Sequence, residues 1–98
     1  MTCYLLGHVE VVDPSAYRVY ASAVIEQLAA VGGRVLAAGT VQGLEGPAMS
    51  NHNVVLEFAD EATARSWYES DAYQAIVPLR QAASASSQLS ILPGWEGP

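Results

Sequence analysis

Residues 53–80 read NVVLEFADEATARSWYESDAYQAIVPLR, and they decide the fold. Val54, Leu56 and Phe58 fall on one side of an extended segment and Val55 and Glu57 on the other, so Asn53 to Phe58 reads as a strand. Asp60 can cap a helix in which Ala64, Trp67 and Tyr68 share one side. Ser70 with Asp71 opens a further helical segment carrying Tyr73, Ile76, Val77 and Arg80. Pro78 has no amide hydrogen to donate, so the segment is expected to break or kink there and leave two short pieces.

Working outward, Tyr4 to Val12 (YLLGHVEVV) is a strand with His8 and Glu10 on one parity and Leu5, Val9 and Val11 on the other. Asp13-Pro14 ends it and starts a helix, because an aspartate caps the first turn and a proline at the first helical position loses no hydrogen bond. In that helix Tyr17, Tyr20, Ala21, Val24, Ile25 and Leu28 form one apolar stripe. Gly32-Gly33 supplies the left-handed termination, and Arg34 to Leu44 returns as a second strand. Gly39 and Gly43 point to a bulge or a close backbone approach in it. Glu45 to His52 is a loop. After the small-residue run Ala82 to Ser87, Gln88 to Leu92 alternates as a last strand, and the tail GWEGP is loose unless Trp95 docks. The order is βαββαβ. Two right-handed crossovers close it into a four-stranded antiparallel sheet, order 4-1-3-2, with helices on one face: an α+β, ferredoxin-like domain over residues 1–98.

The chain has 98 residues and 51% hydrophobic content, which suits one domain with one core. Ten carboxylates stand against four basic residues, all arginine, for a net charge of −6. A chain so acidic lacks the positive patch that nucleic acid or an anionic membrane surface requires. The lone Cys3 has no disulfide partner and no base nearby, and reads as a small apolar residue. No basic-then-apolar leader and no long apolar run is present, so a cytoplasmic location is expected. Two histidines and one cysteine without close spacing predict no metal site, and no glycine-rich phosphate loop or nucleophile elbow is visible, so no cofactor is expected. Helices cover only one sheet face. The other still presents apolar residues, and a homodimer through the sheet faces is expected.

At GHVEVVDPSAYRVY, GGRVLAAG and VVLEFADEATARSWYESDAYQAIVPLR the chain resembles a bacterial family known only as domain of unknown function 1330, within the dimeric α+β barrel superfamily. The likeness runs from Tyr4 to Leu92. It implies a ferredoxin-like subunit, dimerisation through the sheets, and a pocket between sheet and helices near the Trp-Tyr segment. The family's pattern falls on Asp13, Tyr17, Gly33, Arg34, Glu57, Trp67, Tyr68, Ser70, Tyr73 and Arg80. Two positions depart from it: Thr40 stands where relatives usually have a second glycine, and His52-Asn53 where they often have an arginine. The second departure removes a positive charge on which an anionic ligand would be carried over.

Glu57 in an apolar strand would have a raised pKa if buried alone, the condition for acid or base work near neutral pH; otherwise it pairs with Arg34 or Arg80. His8 lies on a neighbouring strand, where contact with Glu57 is open to it. The tyrosines at helical spacing read as packing or as ligand contacts, their hydroxyls needing partners either way. Arg80, on the apolar side of a helix, must be paired or reach a ligand oxygen. The expected catalytic group is Glu57, His8, Tyr68 and Arg80, with Tyr17, Arg34, Trp67, Ser70, Tyr73 and His52 binding substrate. Superfamily relatives include cofactor-independent monooxygenases, cyclases and isomerases. The resemblance therefore implies a cofactor-free enzyme acting on a small organic metabolite, with a non-catalytic binding or structural dimer as the alternative.

Overall fold

The computed structural model describes residues 1–98, in the order β1 (Cys3–Val11), α1 (Pro14–Ala30), β2 (Arg34–Gly39), β3 (His52–Phe58), α2 (Glu61–Glu69), α3 (Asp71–Ala83) and β4 (Ser84–Pro93). The strands form one antiparallel sheet ordered β2-β3-β1-β4, the expected ferredoxin-like arrangement. The Cα atoms fill a slab of 37 × 35 × 16 Å, sheet on one side and helices on the other. No helix is long and apolar enough to cross a membrane.

All three helices start where a side chain can accept a free first-turn amide. Asp13 accepts from Ala16 N at 3.1 Å, Asp60 from Thr63 N at 2.7 Å and Ser70 from Tyr73 N at 3.2 Å. Gly32 ends α1 at φ 72°, a conformation open to glycine at little cost, and Gly33 N then donates to Leu28 O. Strand parity sorts the sheet into two faces. Cys3, Leu5, Val9, Leu56 and Phe58 point under the helices and are buried with Tyr17, Tyr20, Val24, Leu28, Ala64, Trp67, Tyr73 and Ala83. Cys3 is 2% exposed, and burial pushes its thiol up, so it packs as a small apolar residue.

Several boundaries differ from the reading of the sequence. Pro78 breaks nothing: α3 runs unbroken through it. The stripe Tyr73, Ile76, Val77, Arg80 and Ala83 packs one face of α3 inward. That burial outweighs the roughly 3 kcal/mol an interior proline costs. β2 stops at Gly39, whose φ of 144° ends the strand, and its irregularity falls between Val35 and Ala37 instead of at a glycine. β4 begins at Ser84, because the run of small residues pairs along β1 from Val11 onward, with a shift at Glu10/Val11. Trp95 docks on nothing and is 83% exposed.

Candidate functional site

A cavity of about 180 Å³ lies between α1 and the inner sheet face. Gly7 and Val54 lie on its floor, Val24 and Ala21 on its roof, and Trp67 and Tyr73 on its far wall. Gly7 is dictated by packing: a Cβ there would lie 2.8 Å from Val54 Cγ2 and 3.2 Å from Leu89 Cδ2. The lining is apolar except for the tips of Tyr17, Tyr20 and Tyr73 and the ring of His52. His52, opposite Val9 in the β1–β3 ladder, shares the inward parity of Val54, Leu56 and Phe58. Tyr17, Ala21 and His52 also line a shallower groove outside, so they form the neck between cavity and surface.

The aromatic groups form a run of ring contacts. Tyr17 lies 4.9 Å from the His52 ring, edge to face, and 5.4 Å from Tyr20, stacked. Trp67 lies 4.2 Å from Tyr73. The Tyr20 and Tyr73 hydroxyls are 2.7 Å apart, Arg80 Nη1 donates to Tyr73 Oη at 2.7 Å, and Arg80 Nε donates to Ser87 Oγ at 3.2 Å. The guanidinium carbon sits 5.9 Å over the Tyr20 ring. The Tyr17 hydroxyl and the His52 ring make no hydrogen bond to the protein, and neither is sealed from the space around it.

Burial pushes the Tyr17 hydroxyl up to about 12, with Tyr20 adding to the rise and Arg80 opposing it. Burial also raises Tyr73 and lowers His52. The His52 ring is therefore neutral near pH 7. Because the folded chain binds that proton less readily than the unfolded chain, the contribution of His52 to stability is full above the ordinary imidazole value of 6.5. It declines as pH falls below that value and levels off beneath the depressed folded pKa. Urea unfolding between neutral and mildly acidic pH is expected to show a smaller acid loss for His52→Gln than for the native chain. Equal losses would place His52 in water.

Of the sequence-derived residues, Tyr17, Trp67, Tyr73 and His52 meet at the cavity, with Arg80 behind Tyr73. Glu57 does not join them. It lies on the outer sheet face, where Arg34 Nε donates to Glu57 Oε1 at 2.8 Å, an exposed pair contributing about 0–1 kcal/mol. His8 shares that outer face but pairs with Asn53, Nδ1 to Oδ1 2.7 Å, four register steps from the Tyr4–Glu57 position. At about 3.3 Å per residue, side chains so separated do not touch. Tyr68 is 40% exposed and lines a separate groove with Arg65 and Glu69. Ser70 holds the α2–α3 corner, donating to Trp67 O and accepting from Tyr73 N, and so sets the Tyr73 ring without facing the cavity.

Two contributors lie outside the expected site group. Tyr20 was visible in the α1 stripe, but only pairing with Tyr73 gives its hydroxyl a function. Asn51 lies in the loop before β3. Its side chain exchanges two hydrogen bonds with the Val11 backbone, and its amide donates to Glu10 Oε1, which fixes the neighbouring His52. No group of three or more His, Cys, Asp or Glu side chains converges.

The profile of the family described as Domain of unknown function (DUF1330) matches residues 2–95. The chain belongs to this family. Among solved structures, this DUF1330 protein is similar to a protein of unknown function from Rhodopseudomonas palustris, at 23% identity and TM-score 0.76 over 98% of this chain and 84% of that one. It is similar to a dimeric ferredoxin-like protein of unknown function from Thermobifida fusca, at 17% identity and TM-score 0.65 over 96% and 92%. A Caulobacter crescentus protein put forward as an antibiotic biosynthesis monooxygenase follows at 13% identity and TM-score 0.60, over 97% and 91%. At these identities the likeness establishes the fold alone. No curated protein matches the chain.

Proposed function

We propose that this DUF1330 protein holds a compact, ring-sized organic metabolite beneath α1 and moves a proton on it, with His52 as the base. One observation carries the reading: the neck of an otherwise apolar hole has a neutral imidazole and a phenol hydroxyl, neither engaged by the protein. An unpartnered imidazole kept neutral by burial is suited to accept a proton near pH 7. A cavity of 150 Å³ admits benzene. The 180 Å³ here suits one ring with a small polar substituent and little more. Isomerisation and cyclisation are the reaction types a single base could drive.

The second reading is a binder without chemistry. It is favoured by the chain of bonds Tyr20–Tyr73–Arg80, in which the strongest polar groups already engage one another. Cyclohexanone in heavy water separates the two. The enzyme reading expects amide shifts confined to cavity residues and exchange of the ketone's α-hydrogens faster than in buffer, the exchange lost in His52→Gln. Binding without exchange sustains the binder, and no shift at the cavity removes both.

The working unit in this proposal is a homodimer. Tyr4, Leu6, Val55 and Leu92 lie on the sheet face that no helix covers, and in a slab 16 Å thick only 15 residues are buried. A second copy placed face to face would remove that apolar surface from water.

A further inference from the structure

We propose that the ligand of this cavity carries an anionic oxygen, a carboxylate or a phenolate, seated against the hydroxyls of Tyr17 and Tyr20 with Arg80 behind them. The proposal rests on reading the cavity as a ligand site and narrows what the site accepts.

It begins with a charge that lacks a counter-ion. Arg80 is 7% exposed, yet the two ion pairs in the chain are Arg34–Glu57 and Arg65–Glu61, and both lie elsewhere. A buried guanidinium surrounded by phenols instead of carboxylates keeps its full positive charge, and nothing nearby cancels it.

A count of hydrogens gives the same direction. Tyr73 Oη accepts from Arg80 Nη1 and one of the two hydroxyls donates to the other, so one phenol proton of the Tyr20–Tyr73 pair is left without a taker. Tyr17 adds a second unspent hydroxyl, and with its pKa pushed up to about 12 it keeps that proton at neutral pH. Ser87 Oγ already receives Arg80 Nε. The polar end of the cavity thus has donors in surplus, no acidic side chain in its lining, and a cation that polarises the donors through Tyr73. A ligand oxygen with negative charge matches all three features. A ligand amide would bring further donors, for which the lining offers one free acceptor, the unprotonated nitrogen of His52. The absence of an arginine at positions 52–53 therefore does not leave the cavity without a positive charge. The net charge of −6 repels anions at long range, so the preference has to arise from these short contacts.

Two matched pairs test this by calorimetry or amide shifts: benzoate against benzamide, and 4-nitrophenolate against nitrobenzene above the ionisation of the phenol. The expected result is at least about tenfold tighter binding of the anion in one pair, as charge-assisted hydrogen bonds give. The pair that shows it says which oxygen is taken. Neutral partners binding as well as the anions in both pairs overturn the inference and leave the cavity reading intact; no binding by any of the four overturns both. Arg80 acts through the phenols and is a positioning residue. Arg80→Met should abolish the anion preference while sparing the neutral ligands, and Arg80→Lys should restore part of it. If Arg80→Met does not fold, Tyr17→Phe, which removes an oxygen with no protein partner, should lower the preference several-fold. An unchanged preference in the folded variant sinks the proposal.

Discussion

Leu6→Arg is expected to turn a dimer into a monomer at micromolar concentration, raising the dissociation constant at least a thousandfold. Leu6 lies at the middle of the outer sheet face, opposite Val55 on β3 and Ser90 on β4, with Tyr4 and His8 beside it on the same strand. In a twofold face-to-face pair the position is buried in both copies, so each substitution counts twice. An arginine forced into such a seam without a partner costs about 3–5 kcal/mol at each copy, and ~4 kcal/mol is already a thousandfold. Val19→Arg is the control. Val19 is 60% exposed on α1, in the layer that covers the opposite side of the sheet, and its substitution should leave the mass unchanged. Sedimentation equilibrium over a dilution series reads both. A native chain that is monomeric, or a Leu6→Arg chain that stays dimeric, removes the sheet-to-sheet assembly.

The same outer face explains which part of the site the sequence revealed and which it concealed. Alternation in NVVLEF assigned Val54, Leu56 and Phe58 to one side and Glu57 to the other, and the structure keeps that division. Followed through, it already placed Glu57 on the side away from the helices, while Arg80 projects from a helix toward the opposite side. A carboxylate among apolar residues drew attention because of its neighbours in sequence, but in a strand those neighbours point the other way. His52 is among the expected binding residues, but it lies one residue outside the expected strand, so its inward parity shows only once β3 is seen to begin there. Helix caps were legible because Asp13, Asp60 and Ser70 act on amides three residues away. The Tyr20–Tyr73 pair joins residues 53 positions apart, and only tertiary packing chooses such a partner, whereas Tyr73 and Arg80 lie two turns apart on one face of α3 and meet because that helix is unbroken. Pro78 was misread for the same reason: a local penalty was visible and the burial that outweighs it was not.

Trp67→Ala should destabilise the domain by about 3–5 kcal/mol, the range for removing a buried aromatic ring. Trp67 is 4% exposed and packs against Tyr73 at 4.2 Å and Phe58 at 5.5 Å. Its Nε1 donates to Gln27 Oε1 at 3.0 Å, while Gln27 Nε2 donates to Ala72 O at 3.1 Å, so one side chain ties α2 to α1 and α3. Truncation therefore removes apolar contact and leaves the Gln27 oxygen without its donor. The new void opens into the existing cavity, where there is no neighbour to collapse inward, which places the loss toward the upper end of the range. For a domain of this size, with about 5–15 kcal/mol in all, that is a large share. At about 4–8 °C per kcal/mol, it lowers the melting temperature by more than about 12 °C. Trp67→Phe, which keeps a ring against Tyr73, should lose less than half as much. Indole supplied to Trp67→Ala should raise its midpoint in proportion to the logarithm of concentration, because a ligand that fits only the folded cavity stabilises only that state. Urea unfolding with and without indole measures both effects. A loss below about 1.5 kcal/mol would mean that the ring is not a wall of the cavity, and a midpoint indifferent to indole would mean that the hole closes when the ring is removed.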